Sequence, residues 1–495
     1  MRKKKMTNLF RLLGVNNHIN TQNTQSKRFV MAKNTKKFQK TQSASNFKLT
    51  PMNPCVAGID IGARSVFICI GFSDGHQEIR EYLTFTEDLK NMRTWIQQNG
   101  IQSVAMESTG VYWIPVYDIL AQAGIDVILV NAYYLKTVPG RKTDVKDCQW
   151  IQQLHAYGLL RGSFRPDDEG VMLRGYVRQR SRLFELASQQ VQLMHKALVQ
   201  MNLQLNHVVS DITGATGMNI IRAIVSGERS PAVLAKYRDC RCKKDEKEIA
   251  KALDGNYRQE HLLAVKHALA AYDFFHRQAL ECEEAIEKML AKWEKQAESA
   301  PAQDSNPPKG LNKNGRGIQK KTEYNLSPYH FEAESSLEKI LHVNLTDIPG
   351  LDVNGIMKIL AEIGLDMSKW PSAKHFASWL GLCPGNKISG GKILSSKTKP
   401  SANRAAQAFR LAANTLYCSK TALGAYFRRM RARLGAPKAI TAAAHKLAKI
   451  LYTMLKERKS FTEVGQAAYE QAYKERQLYA LKKRAQDLGF NLVAV

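Results

Sequence analysis

Four acidic residues stand where secondary-structure elements are expected to end or begin. Asp60 closes the run Gly58-Ile-Asp-Ile-Gly62, Glu107 closes Ala105-Met-Glu-Ser-Thr109, and Asp144 and Asp147 are three apart, which places them on one helix face. Carboxylates gathered in this way repel one another unless a cation neutralises them, and all-oxygen ligation suits Mg2+ or Mn2+. Two such ions about 4 Å apart polarise a phosphodiester and stabilise its attacking and leaving oxygens. Each acid alone has a plainer role: Asp60 and Glu107 as turn or edge acids, Asp144 and Asp147 as first-turn residues favoured by the helix dipole. Four acids at one expected sheet rim favour the metal.

A second group lies far along the chain. Ser389-Gly390-Gly391 reads as a flexible turn in which a hydroxyl can come close to a phosphate, because glycine permits tight backbone approach; linkers share this composition. Lys392, Lys397, Lys399, Arg404 and Arg410 follow and could hold a phosphate backbone. Tyr426-Phe-Arg-Arg-Met-Arg-Ala-Arg433 interleaves aromatics with arginines, among them Arg428 and Arg429, as nucleic-acid surfaces do; a solvated helix face is the alternative. Asp347-Ile-Pro-Gly-Leu351 before Val353 reads as a turn entering a helix, able to offer backbone N–H groups to phosphate or to be an ordinary helical hairpin.

The elements that would position the acids are short. β-rich runs at 56–61, 65–72 and 79–85, with turns at Gly62-Ala63 and Asp74-Gly75, precede a helix at 87–98, a strand at 103–107, a helix at 113–123, a strand at 126–131 and a helix at 143–157. The order βββαβαβα predicts an α/β domain over 55–165, a mixed sheet with helices on its faces. Residues 171–207 read as one long helix with a seam of Phe184, Ala187, Val191, Met194, Leu198, Met201 and Leu205. A second helix at 258–295 repeats the spacing but puts His276 and Glu283 in its seam. The region 171–300 is thus either a coiled-coil arm that pairs two chains or two antiparallel helices packed on each other. A Pro-, Gly-, Asn- and Lys-rich linker is expected at 301–325, a mostly helical C-terminal domain at 335–460 and a helical tail at 461–495.

The chain has 495 residues with 44% hydrophobic content, enough to bury several cores. A net charge of +29 favours a polyanionic partner, with nucleic acid first. Residues 1–50 hold 12 Lys or Arg and no acid, so they predict a disordered basic arm; the same composition fits an organellar transit peptide, with Met31 or Met52 as the true start. Apolar runs such as Asp126-Val-Ile-Leu-Val130 fall far short of the roughly 20 residues that span a bilayer, so no membrane partner is expected. Of eight cysteines only Cys240 and Cys242 are close, without the paired spacing of a zinc site or a disulfide framework, which points to a reducing cytosol.

Gly58-Ile-Asp-Ile-Gly62 before a β-hairpin resembles the first phosphate loop of sugar-kinase and actin-like ATPases, yet no second Asp-Gly-rich nucleotide loop follows. A closer resemblance rests on more residues. Gly58–Gly62, Met106-Glu-Ser-Thr-Gly-Val-Tyr-Trp113 and Lys142-Thr-Asp-Val-Lys-Asp147 resemble the DEDD signature of bacterial insertion-sequence transposases of the "one-ten" family; Ile348-Pro-Gly-Leu351, Trp379-Leu-Gly-Leu-Cys-Pro384 and Ser389-Gly-Gly-Lys392 resemble that family's second domain. The resemblance implies a RuvC-like N-terminal domain with an RNase H fold, and a Mg2+- or Mn2+-dependent recombinase in which Asp60, Glu107, Asp144 and Asp147 act with a serine best matched by Ser389. It also implies element-end and target DNA as partners, a structured guide RNA, a homo-oligomer (dimer or tetramer) and a bacterial cytoplasmic, nucleoid-associated setting. The chain departs from the family at Ser396-Lys-Thr-Lys-Pro-Ser-Ala-Asn-Arg404, where many members carry a Gly-containing run. A Holliday-junction-type nuclease and a non-catalytic nucleic-acid scaffold are the alternatives.

Overall fold

A computed structural model describes residues 51–108, 110–135, 144–299, 329–401 and 403–491. The basic arm at 1–50, the linker at 301–325, and Thr109, Lys142 and Thr143 of the acidic motifs lie outside the described residues. The chain divides into two compact units, one ending at Ser163 and one starting at Phe164. Among the described residues no helix is long and apolar enough to cross a membrane.

The first unit is a five-stranded mixed sheet. β1 (Val56–Ile61), β2 (Ser65–Gly71) and β3 (Gln77–Leu83) form an antiparallel meander; β4 (Ser103–Glu107) and β5 (Asp126–Val130) add parallel strands on the other side of β1, giving the order β3-β2-β1-β4-β5. This topology is consistent with a RuvC-like domain. Because side chains alternate along a strand, β1 sends Ala57 and Ile59 to one face and Gly58 and Asp60 to the other. The first face is bulky: Ile59, Ile68, Ile70, Val104 and Met106 pack under α1 (Thr86–Gln98) and α2 (Trp113–Ala121). The second face is covered by α4 (Asp144–Ala156), whose Ile151 packs with Ala105 and Val130 and with Leu135 of the short α3 (Ala132–Leu135).

In the second unit α5 (Asp168–Gln200) starts at Asp167, whose side chain accepts from the Gly170 amide at 2.8 Å. The single helix expected through 207 instead breaks after Gln200, since Asn202 takes φ of 59° and α6 (Leu205–Val208) is a separate turn. α7 (Ala215–Ser226), α8 (Pro231–Ala235) and α9 (Glu246–Ala252) form a cap with its own core around Met194, Leu198, Ile220, Ile224 and Ile249. α10 (Gln259–Ser299) then returns along α5: Glu169 meets Lys292 and Trp293, Arg180 meets Glu283, and Phe184 meets His276, so the pair is antiparallel and closes within the chain.

Glu283 sits in that apolar seam because it is satisfied there. Its carboxylate accepts from Arg180 Nε at 2.6 Å and from the His330 backbone N–H at 2.8 Å, with His330 Nδ1 at 3.0 Å. The base of the pair, through Leu173, Val177, Ile286 and Leu290, shares a core with α11 (Ala333–Leu341), α12 (Val353–Ile363) and α13 (Ala373–Trp379). A hairpin, β6 (Lys387–Ser389) and β7 (Lys392–Ser395), is followed by α14 (Arg404–Thr415), α15 (Ala422–Leu434), α16 (Ala436–Glu457) and α17 (Gln466–Asp487). Buried alanines at 405, 406 and 413 of α14 and at 439, 443, 444 and 448 of α16 leave these helices little side-chain bulk where they pack.

Candidate metal centre and nucleophile hairpin

Asp60 is the fifth residue of β1 and points to the α4 side of the sheet; α4 opens with Asp144 and carries Asp147 three residues on. The ligand oxygens of Asp60, Asp144 and Asp147 all lie within 4.8 Å of one another, Asp60 and Asp147 half-buried and Asp144 exposed. The structure therefore gathers three of the four expected acids. Glu107 ends the neighbouring parallel strand, paired with Val130 of β5, and stands outside this cluster. Acids in a first helical turn are stabilised by the helix dipole, which helps α4 to tolerate two of them beside Asp60. The donor set is all carboxylate and has an open side, which fits a small hard cation; Asp60, Asp144 and Asp147 are the residues that would hold it.

α4 is keyed to the sheet by buried polar groups that sequence reasoning missed. Gln77 Nε2 donates to Gln152 Oε1 at 2.7 Å and Gln149 Nε2 donates to Gln77 Oε1 at 3.3 Å. His155 Nε2 is 2.9 Å from Ser103 Oγ, and burial pushes the imidazole pKa down against the opposing charge of Asp126. Gln152 and His155 recur at helical spacing after Cys148 on the face that α4 buries, a polar periodicity that could have marked them. Cys148, next to Asp147, is pushed up to about 12 by burial first and then by the neighbouring Cys69 and Asp60, so it is a packing thiol and not a nucleophile.

Ser389 ends β6 and is exposed, paired across the hairpin with Lys392. The expected flexible turn is a tight one: Gly390 and Gly391 have φ of 54° and 74°, the two positive values that a two-residue type I′ connection needs. The serine is therefore carried on a defined hairpin tip flanked by exposed Lys387, Lys392, Lys397 and Lys399. Among the neighbouring hydroxyls, Ser395 accepts from the Lys397 amide at 3.4 Å and Ser401 from the Asn403 amide at 3.2 Å, which ties both to local turns. Arg404 is exposed at the start of α14, and Arg410 is half-buried within it.

The two arginines of the aromatic-rich helix are used internally. Arg428 donates to the carbonyls of Tyr417 and Ser419 at 3.1 and 2.6 Å and to Gln466 at 2.9 Å, while Arg429 lies over the rings of Tyr469 and Tyr473 at 4.9 and 3.7 Å. Both dock α17 on α15. The turn before α12 is likewise occupied: Asp352 caps the helix by accepting from the Gly355 amide at 2.7 Å, which suits an ordinary helical hairpin.

Comparison with known proteins gives two matches. A DEDD transposase family model of the IS110 type matches residues 57–203, and the model of the transposase IS116/IS110/IS902 family matches residues 342–428. The first span contains Asp60, Glu107, Asp144 and Asp147; the second contains Ser389 and Lys392 through Arg428. No match was found among curated proteins.

Proposed function

We propose, for a chain that belongs to the IS110 family of transposases, a metal-dependent DNA transposition in which a serine attacks the phosphodiester. The observation that carries this reading is the convergence of Asp60, Asp144 and Asp147, with oxygens within 4.8 Å, on one face of the sheet. A divalent ion bound there, Mg2+ or Mn2+, would neutralise the developing charge on phosphate oxygens. Glu107, one strand away on the same face, completes the acid set.

Ser389 supplies the nucleophile. Its Oγ forms a bond to phosphorus as the bond from phosphorus to a sugar oxygen breaks, and the hydroxyl proton passes, directly or through water, to the departing sugar oxygen. A serine hydroxyl is too weak an acid to do this unaided. Lys392 and Lys397 supply positive charge near the hairpin tip, which favours the alkoxide and the pentavalent phosphorus, but no base stands on the hairpin itself. The base must therefore come from outside the hairpin.

The remaining parts follow the family resemblance. Residues 55–165 are the catalytic sheet domain, 171–300 the helical arm, 335–460 the serine-bearing domain and 461–495 a tail. A structured guide RNA selects the DNA, and the working form is a homo-oligomer. A plain junction nuclease leaves the second matched domain without a role, and a passive scaffold leaves the acid cluster without one.

The test is strand exchange on element-end and target DNA. Activity should need Mg2+ or Mn2+ and vanish in Asp60→Ala with the fold retained. Full turnover in EDTA, or an Asp60→Ala protein as fast as wild type, contradicts the metal site.

A further inference from the structure

The acids of α4 can reach Asp60 only if the helix lies very close to the sheet, and one residue permits that approach. A Cβ built on Gly58 would stand 2.2 Å from the backbone N of Gln152, 2.5 Å from the carbonyl O of Cys148 and 2.7 Å from Gln152 Cα. All three atoms are backbone, so no rotamer change relieves them. The cross-strand partners of Gly58 are also small and fully buried, Cys69 on β2 and Ala105 on β4. The opposite face of the same strands carries Ile59, Ile68 and Met106 under α1 and α2. β1 is hydrogen-bonded on both sides and backed by that bulky layer, so it has no room to retreat. Any side chain at 58 must be accommodated by displacement of α4.

We infer that Gly58 is the positioning residue of the carboxylate centre: backbone contact of α4 on this glycine sets the distance from Asp60 to Asp144 and Asp147. The inference rests on the metal reading given above. Relaxing a 2.2 Å approach to an ordinary contact of 3.4 Å moves α4 by about 1.2 Å. Metal–ligand distances tolerate only about 0.2 Å. Asp147 lies one residue from Cys148, so the displacement passes along a rigid helix to the ligands. Mg2+ demands near-ideal octahedral geometry at about 2.0–2.1 Å, whereas Ca2+ accepts looser shells at about 2.3–2.6 Å. A widened centre therefore loses Mg2+ affinity more than Ca2+ affinity, which loss of stability alone does not produce.

Gly162, in the same unit, is the control, because a Cβ there meets only Ile128 Cγ2 at 3.7 Å, an ordinary contact.

The experiment is calorimetric titration of the full chain with Mg2+ and with Ca2+, with folding checked by circular dichroism. Wild type should bind Mg2+, and Asp60→Ala should not. Gly58→Ala should bind Mg2+ on the order of 10–100-fold more weakly, with the Mg2+/Ca2+ preference shifted toward Ca2+, while Gly162→Ala binds both ions as wild type does, since its added methyl meets only an ordinary contact. Failure of wild type to bind, or unaltered binding by Asp60→Ala, removes the metal reading itself. Binding by Gly58→Ala equal to wild type, with Asp60→Ala inactive in binding, overturns the role of Gly58 alone. Should Gly58→Ala not fold, hydrogen exchange of the Cys148 and Gln152 amides in metal-free wild type decides. Protection that is the same with and without Mg2+ supports placement of α4 by the glycine contact; protection that arises only with Mg2+ overturns it.

Discussion

Replacing Asp144 by Asn should stabilise the metal-free protein and destabilise the metal-loaded one. The three carboxylates lie within 4.8 Å of one another, and Asp144 is exposed, so its repulsions are those of a water-like dielectric. At that distance each repulsion is about 0.9 kcal/mol, and the two neighbours together cost about 2 kcal/mol at low ionic strength. Asn in the first turn of α4 forfeits about 0.3–1 kcal/mol of dipole stabilisation. The variant should therefore gain about 1 kcal/mol in EDTA. With Mg2+ at a hundred times its dissociation constant, wild type gains about 2.7 kcal/mol that a protein lacking the site does not. The order of stability inverts on adding metal. Hydrogen exchange of the β1 amides, Val56–Ile61, reads the opening of this unit directly, in EDTA and in Mg2+. An Asp144→Asn protein that shows no gain in EDTA and is protected by Mg2+ as strongly as wild type would return these acids to the role of solvated helix-start residues.

Arg180→Ala should cost about 3–5 kcal/mol, because it strands the Glu283 carboxylate in a seam where the two side chains are 5% and 3% exposed. Arg180→Met with Glu283→Leu should recover most of that loss, and urea unfolding in which the double variant is no better than the single contradicts a buried pair. Binding to DNA should weaken on the order of a thousandfold between 50 and 200 mM salt if about six phosphates are contacted, and deleting residues 1–50 should lower the slope without abolishing chemistry on saturating DNA. Within that surface, Arg404→Ala should reduce the salt slope by about one contact, whereas Arg429→Ala should leave it unchanged and instead raise hydrogen exchange in α17, since Arg429 lies over Tyr469 and Tyr473. The reverse pattern in fluorescence-anisotropy titrations moves the phosphate surface to α15.

Strand and helix positions of the first unit were readable because alternation and turn residues agree there: β1 and β4 fall on the runs expected at 56–61 and 103–107, and α4 begins within a residue of the expected start. The acid cluster was readable for the same reason, since acids at a strand end and a helix start converge once the element order is known. The platform beneath α4 was hidden, because the need for glycine at 58 comes from a helix nearly a hundred residues later and leaves no local periodicity. Glu283 looked like a flaw in an apolar seam only because its partner, Arg180, is 103 residues away. After Ser389, two glycines suit a loose loop and a type I′ hairpin equally, and only backbone dihedrals separate them. Arg428 and Arg429 looked like a nucleic-acid surface because α17, which takes them up, shows no strong apolar face of its own and buries no residue.

Trapping the proposed covalent Ser389 intermediate on end-labelled element DNA in Mg2+ tests the serine mechanism most directly. Wild type should yield a protein–DNA adduct that survives denaturation, is retained in Ser396→Ala and is absent in Ser389→Ala and in EDTA. An adduct that persists in Ser389→Ala would contradict the assignment and place the nucleophile elsewhere.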